Sequence, residues 1–97
     1  MEEITIPKHT VIQYVRNKKN IPRGVLVAIK SEDGFRIGYS LCNKKDRFNK
    51  RMALKIAIGR AEFSSEPTVM NFMPHPVKKM ASAFWLRCRK YYKVGQQ

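Results

Sequence analysis

The sequence has few acidic residues and few cysteines, and both shortages bear on what the protein can do. Its 97 residues include seven Asp and Glu, and none of these follows Glu66. A metal-dependent nuclease needs a cluster of carboxylates, so acids that are mostly isolated argue against that chemistry. Cys42 and Cys88 are the two cysteines, and both lie within apolar patterns. We expect them to be buried thiols in a reducing compartment.

The sequence also lacks a long apolar run and a targeting segment. No stretch reaches the roughly 18 apolar residues that a membrane span requires. Residues 1–4 lack the positive and apolar regions of a secretory signal. We therefore expect a cytoplasmic protein with no membrane partner. At 97 residues, without an internal repeat, the chain is expected to form a single domain, 1–97, around one modest core.

Positive charge is what the sequence has in excess. Twenty Lys and Arg against seven Asp and Glu give a formal net charge of +13. An excess of this size favours a polyanionic partner, with nucleic acid as the first choice and an acidic protein surface as the second. A merely solvated surface is the alternative, but such surfaces normally mix charges of both signs.

Three segments are predicted to form a three-stranded antiparallel meander. Residues 10–16 are rich in β-branched and aromatic side chains. Residues 25–30 are a nearly continuous apolar run, which is typical of a central strand covered on both faces. Residues 35–41 alternate between large apolar side chains and polar or small ones, as a half-buried strand does. A basic loop over residues 17–24 and a tight Asp-Gly turn connect the strands.

Two helices are predicted to follow, so the fold class is α+β in the order βββαα. The first spans residues 43–62, with Asn43 as its N-cap and Asp46 at the position of a capping-box acid. It is apolar on two sides, which indicates two neighbours. We expect one side to pack on the sheet and the other against the second helix. After a linker, the second helix spans residues 76–93, with its apolar side chains at i, i+3, i+4 and i+7 spacing.

Clusters of cations with few acids among them are the strongest functional pattern. Phosphate binding requires cations dispersed on a preformed surface. The pair Lys44-Lys45 is expected at a helix N-terminus, where backbone donors and the helix dipole also favour anions. The predicted nucleic-acid contacts are Arg16, Lys18, Lys19, Arg23, Lys44, Lys45, Arg47, Arg51, Lys55, Arg87, Arg89 and Lys90.

Aromatic residues offer a second mode of contact with nucleic acid. Trp85, Tyr92 and Tyr14 could stack on bases. Their positions in the helical and strand patterns favour packing at the core or its edge instead.

The sequence does not indicate a metal site or a catalytic site. The His and Cys residues are His9, Cys42, His75 and Cys88, and their spacings match no zinc-binding pair. No nucleophile, base and acid form a set. We therefore predict a protein that is not an enzyme and that carries no metal and no cofactor.

Two stretches resemble parts of known nucleic-acid-binding domains. The order of three antiparallel strands and a helix resembles small DNA-binding domains of the plant ethylene-response-factor type and some integrase amino-terminal arms. That resemblance implies a sheet in the major groove, with Arg16, Arg23, Lys30 and Arg36 facing DNA, although the apolar strand 25–29 leaves little room for a polar DNA-facing surface. Residues 25–61, with a lysine pair opening a helix that bears internal alanines, resemble the end of a double-stranded-RNA-binding domain.

The whole chain is similar to small basic accessory proteins encoded by bacteriophages, through residues 38–46 and 55–61. This resemblance implies a regulatory role in the host cytoplasm. The function that we predict is non-enzymatic binding of DNA or RNA through phosphate-dominated contacts. The alternative is a phage-encoded inhibitor or modulator that binds an acidic or nucleic-acid-binding surface of a host protein. A homodimer is a further option, because Trp85 and Leu86 lie beside the main apolar stripe of the second helix.

Overall fold

Three strands and two helices make up the computed structural model, which describes residues 6–32, 34–43, 45–63 and 73–93. The strands β1 (Val11–Arg16), β2 (Pro22–Ser31) and β3 (Gly34–Leu41) precede the helices α1 (Lys50–Phe63) and α2 (His75–Tyr92). Both strand pairs are antiparallel, and β2 lies between β1 and β3. The predicted α+β class and the βββαα order are confirmed. Among the described residues, no helix is long and apolar enough to cross a bilayer.

The central strand β2 is buried on both faces, as its continuous apolar run predicted. Successive side chains of a strand point to opposite faces. Leu26 and Ala28 accordingly pack in one cluster with α2, whereas Val25, Val27 and Ile29 pack in a second cluster with α1. The molecule therefore has a core on each side of a three-stranded sheet.

The expectation that the second helix packs on the first is wrong, because the two helices cover opposite faces of the sheet. Their inward sides are apolar: α1 contributes Ala53, Leu54, Ala57, Ile58 and Ala61, and α2 contributes Val77, Ala81, Phe84 and Cys88. The physical reason lies in β2. A strand that is apolar on both sides needs a cover on each side, and one helix can supply only one of them.

The first helix begins at Lys50, seven residues later than predicted. Its cap is Asn49, whose Oδ1 accepts a hydrogen bond from the Met52 N–H at 3.0 Å. The expected cap, Asn43, instead closes a turn, because its carbonyl accepts the Asp46 N–H at 3.0 Å. The first turn of α1 contains no acid, so the capping role predicted for Asp46 is also wrong.

The loop predicted over residues 17–24 is shorter than expected, because β2 begins at Pro22. Proline is tolerated as the first residue of a strand, where its missing N–H costs little. At the chain's other end, α2 stops at Tyr92 because Lys93 takes the left-handed conformation, with φ 56°, and its N–H caps the carbonyls of Arg89 and Lys90. Gly95, the expected stop, and most of the predicted linker lie outside the described residues.

At Gly38 in β3, the backbone of α1 comes very close to the sheet. A Cβ placed on Gly38 would lie 1.9 Å from the Ala57 carbonyl oxygen and 2.4 Å from the Ala61 nitrogen. The helix backbone can rest on the strand only because position 38 has no side chain and Ala57 and Ala61 are small. Gly59 in α1 is different, because a Cβ placed there would meet nothing within 4 Å.

Candidate nucleic-acid interface

The turn between β1 and β2 carries two exposed lysines on a hydrogen-bonded frame. Asn17 organises it, because its Oδ1 accepts the N–H groups of Lys19 at 2.9 Å and Ile21 at 3.0 Å. The Asn17 N–H also bonds the Ile21 carbonyl at 2.9 Å. Asn20 takes the left-handed conformation, with φ 65°, that the tight turn requires. The turn thus holds Lys18 and Lys19 at the tip of a preformed hairpin.

Arg23 holds the segment that follows β3, at residues 43 and 46, beside that hairpin. The Arg23 guanidinium donates to the Asn43 carbonyl at 2.6 Å and to the Asp46 carbonyl at 3.2 Å. The Cys42 N–H returns a bond to the Arg23 carbonyl at 2.7 Å. Arg23, predicted to contact nucleic acid, therefore acts as a clamp that holds the segment bearing Lys45 and Arg47, both exposed.

The first turn of α1 reaches the same end of the molecule. The Lys50 ammonium lies 5.6 Å from the centre of the Tyr14 ring, and Tyr14 is two residues from the end of β1. Phe48 packs edge-on against the same ring, with centroids 6.3 Å apart. These contacts place the start of α1 over the part of β1 that leads into the hairpin turn.

The structure thus gathers six exposed cations from four chain segments at one end of the sheet, where β1 ends, β2 begins and β3 ends. We call this set the hairpin-end surface. Asp46 is the one acid among the described residues at this end; the other two, Glu32 and Glu62, lie in the β2–β3 turn and in the last turn of α1. The hairpin-end surface consists of Arg16, Lys18, Lys19, Lys45, Arg47 and Lys50.

Three of the other predicted contacts lie away from this surface. Arg87, Arg89 and Lys90 lie on α2, which covers the opposite face of the sheet from α1. Arg87 donates to the Gln13 Oε1 at 3.1 Å, and the Arg89 guanidinium lies 4.9 Å from the centre of the Trp85 ring. Arg51 and Lys55 are exposed on α1. Lys44 lies outside the described residues.

Lys50 of the hairpin-end surface was missing from the predicted nucleic-acid contacts, and two other cations, Arg36 and Arg60, have structural roles. Lys50 belongs to the hairpin-end surface because Asn49, not Asn43, caps the helix; recognition of that cap in the sequence would have placed Lys50 in the first turn. Arg36 donates to the Glu62 carbonyl at 3.0 Å, and Arg60 donates to the Tyr39 carbonyl at 3.0 Å. These two arginines tie α1 to β3.

The aromatic residues that could stack on bases make contacts within the protein instead. Tyr92 is stacked on Phe35 with centroids 5.5 Å apart, and Trp85 lies 6.3 Å from the same ring. Both faces of the sheet are covered by helices, so neither face is open to a DNA groove in the manner that the ethylene-response-factor resemblance implies. Most of the exposed cations among the described residues accordingly lie on turns and on the outer surfaces of the helices.

Two residues on the inward side of α2, away from the hairpin-end surface, have strongly shifted pKa values. Burial raises the pKa of the Cys88 thiol to about 12, an effect that the nearby Arg87 charge opposes. Burial also raises the pKa of Tyr92 to about 12, and Cys88 and Tyr91 add to that shift. The Tyr92 hydroxyl lies 2.9 Å from the Ala28 carbonyl oxygen. These groups belong to the core.

The cysteines are both free, with Cys88 buried and Cys42 half-buried. The prediction of buried thiols is therefore confirmed in full only for Cys88. Within the described ranges, no three of His, Cys, Asp and Glu come together in a way that could hold a metal ion.

Comparisons of the chain with protein families, with curated proteins and with solved structures find no match. The resemblances to DNA-binding, RNA-binding and bacteriophage proteins therefore stay predictions from the sequence.

Proposed function

We propose that this protein is a non-enzymatic nucleic-acid-binding protein whose hairpin-end surface contacts the phosphate backbone. The observation that carries the proposal is the gathering of six exposed cations from four segments around a single acid. Dispersed Lys and Arg side chains on an ordered frame are what phosphate contacts require. The Asn17 turn and the Arg23 clamp supply that order before any ligand binds.

Two triple variants of equal charge test the location of the binding surface. Lys18→Gln/Lys19→Gln/Lys45→Gln removes three charges from the hairpin-end surface, and Lys30→Gln/Lys90→Gln/Lys93→Gln removes three exposed charges from the opposite end of the sheet, where β2 ends and Tyr92 of α2 bonds the Ala28 carbonyl. Binding to a labelled duplex of about 20 base pairs is measured by fluorescence anisotropy at fixed salt. We expect the first variant to weaken binding about tenfold or more and the second to weaken it less than about threefold.

Equal losses from the two variants would mean that net charge alone attracts DNA, and no loss from the first would remove the hairpin-end surface from the proposal. The same titrations with duplex RNA and with single strands identify which nucleic acid binds best. Circular dichroism of both variants checks that each retains the wild-type fold.

A second candidate function is the modulation of a host protein through an acidic surface, in the setting of a bacteriophage accessory protein. Met52 and Ile56 on α1 favour it, because they are exposed apolar side chains on a strongly basic helix. Phosphate binding does not need exposed apolar groups, whereas protein interfaces use them. A pull-down from host lysate with and without nuclease tests this candidate: a specific acidic partner should survive nuclease, and loss of every partner would exclude it.

A further inference from the structure

The outward side of α1 carries an apolar stripe that nothing in the described structure covers. Met52, Ile56 and Gly59 follow i, i+4 and i+7 spacing, which places them on one side of a helix. Met52 is 53% exposed and Ile56 is 40% exposed. The opposite side of the helix packs on the sheet through Ala53, Leu54, Ala57, Ile58 and Ala61. We call Met52, Ile56 and Gly59 the α1 stripe.

The α1 stripe differs from the other exposed apolar residues in two ways: its residues follow helical spacing, and one of them, Gly59, has no side chain. Single exposed apolar side chains such as Leu86 are normal on a protein surface. In the stripe, Met52 and Ile56 are one helical turn apart and Gly59 follows in the next turn. A Cβ on Gly59 would meet nothing within 4 Å, so a second backbone can approach the helix closely at that position. This is a geometry suited to another helix.

The charge around the stripe points to the kind of partner. The helix carries Lys50, Arg51, Lys55 and Arg60 against a single acid, Glu62. The whole chain has a net charge of +13. A second copy of this chain would bring two such charges together, which opposes association. An acidic partner gains from the same field and is steered towards it.

We propose that the α1 stripe is a docking site for an amphipathic helix of a partner protein, with an apolar ridge flanked by Asp and Glu. The ridge lies along Met52 and Ile56 and approaches the α1 backbone at Gly59. The acidic flanks face the basic residues of α1. This inference names the contact surface for the second proposed function, on which it rests. The basic residues around the α1 stripe include Lys50 of the hairpin-end surface, but the proposal does not require nucleic-acid binding.

The test uses a synthetic helical peptide of about 20 residues, long enough to populate a helix, with Leu at i, i+4, i+7 and i+11 and Glu on the flanking positions. Two control peptides accompany it: one with the same composition in scrambled order and one with Lys in place of Glu. Binding to the intact protein is followed by methyl NMR of Met and Ile. We expect the Met52 and Ile56 signals to shift on addition of the first peptide, and the buried Met73 signal to stay in place.

Substitutions then identify the surface. Met52→Gln/Ile56→Gln keeps the charge and should weaken the acidic peptide about tenfold or more, whereas Leu86→Gln, at an exposed position on α2, should change its affinity less than about twofold. Gly59→Leu fills the gap and should also weaken binding, although the open space around Gly59 leaves the fold intact. Circular dichroism of each variant checks the last point.

Two outcomes would overturn this inference. They are equal binding of the acidic and scrambled peptides, and a dimer in sedimentation that Met52→Gln/Ile56→Gln abolishes. A host protein can also bind in the pull-down without shifting the Met52 and Ile56 methyl signals. That result would exclude the α1 stripe as the contact surface and would leave the second proposed function in place. The DNA affinities of the two charge variants are measured independently of peptide binding, so they test the proposed nucleic-acid binding separately.

Discussion

Gly38 and Gly59 show how differently two glycines can serve one fold. Gly38 is where α1 rests on β3, with the Ala57 carbonyl oxygen 1.9 Å from the position that a Cβ would take. Gly59 lies on the outward side of the same helix, in open space. The sequence could not distinguish them, because a glycine's role depends on the element across from it.

The same substitution at these two positions should have opposite effects on stability. Gly38→Ala forces a methyl group into the backbone of α1 and should lower the free energy of unfolding by about 3 kcal/mol. Gly59→Ala should raise it by up to about 1 kcal/mol, because alanine has the higher helix propensity and meets no neighbour. Urea denaturation followed by circular dichroism measures both. A Gly38→Ala protein as stable as the wild type would contradict the close approach of α1 to the sheet.

Cys88 makes the stability of the fold depend on alkaline pH. Its folded-state pKa of about 12 lies above the ordinary value of 9.0, so below pH 9 the thiol is neutral in both states and its full contribution is present. Between about pH 9 and 12 the unfolded chain ionises and the folded one does not, which lowers the free energy of unfolding by up to about 1.4 kcal/mol per pH unit. Tyr92, raised from 10.0 to about 12, acts in the same direction at higher pH.

Cys88→Ala tests this dependence. The variant should be less stable at pH 7, by about 1 kcal/mol, because removal of the sulfur atom leaves a small cavity in the core. Its stability should nevertheless fall less steeply between pH 9 and 10. Lysine deprotonation affects both proteins equally, so the difference between their curves isolates the thiol. Parallel curves from urea denaturation over this range would contradict the assignment.

At the scale of elements, the sequence placed the strands well and the start of α1 poorly. The alternation of β3 and the apolar run of β2 depend on local pattern, which a sequence displays. Asn43 and Asn49 are equally good N-caps by residue type, and both precede basic residues. The choice is made by Arg23, whose bonds to the carbonyls of Asn43 and Asp46 use the intervening residues as a turn. Arg23 is distant from both in the chain, so local pattern cannot decide where the helix begins.

Two asparagine substitutions check where the helix begins. Asn49→Ala should cost about 1 kcal/mol, because it removes the side-chain bond to the Met52 N–H. Asn43→Ala should cost less than half of that, because the bond that its Oδ1 accepts among the described residues is long, 3.3 Å, and comes from the exposed N–H of Lys45. The fall in melting temperature, roughly 4–8 °C per kcal/mol for a chain of this size, measures both. The reverse order of the two effects would restore a helix that begins at residue 43.

At the scale of the whole molecule, the arrangement of layers followed from β2. Its apolar run correctly predicted a strand covered on both faces, and that requirement places one helix on each side. The two apolar sides of α1 pointed to a different arrangement, in which α2 packs on α1. In the structure, β2 is covered by one helix on each face, and Met52 and Ile56 of α1 stay on the surface.

The same arrangement divides the predicted binding residues. The sequence identified almost every cation of the hairpin-end surface but grouped them with those of α2, because charge clusters along a chain carry no information about which face they occupy. The clamp by Arg23 and the cap by Asn49 bring Lys45, Arg47 and Lys50 to the hairpin. The α2 cations lie across the sheet.

The salt dependence of DNA binding tests the central claim most directly. The logarithm of the association constant is plotted against the logarithm of salt concentration for the wild type and for the two charge variants. We predict a steep negative slope for the wild type. The slope should be shallower by about 2.7 for Lys18→Gln/Lys19→Gln/Lys45→Gln, because each phosphate that is no longer neutralised removes about 0.9, and nearly unchanged for Lys30→Gln/Lys90→Gln/Lys93→Gln. A flat line for the wild type, or equal changes in the two variants, would contradict phosphate binding at the hairpin-end surface.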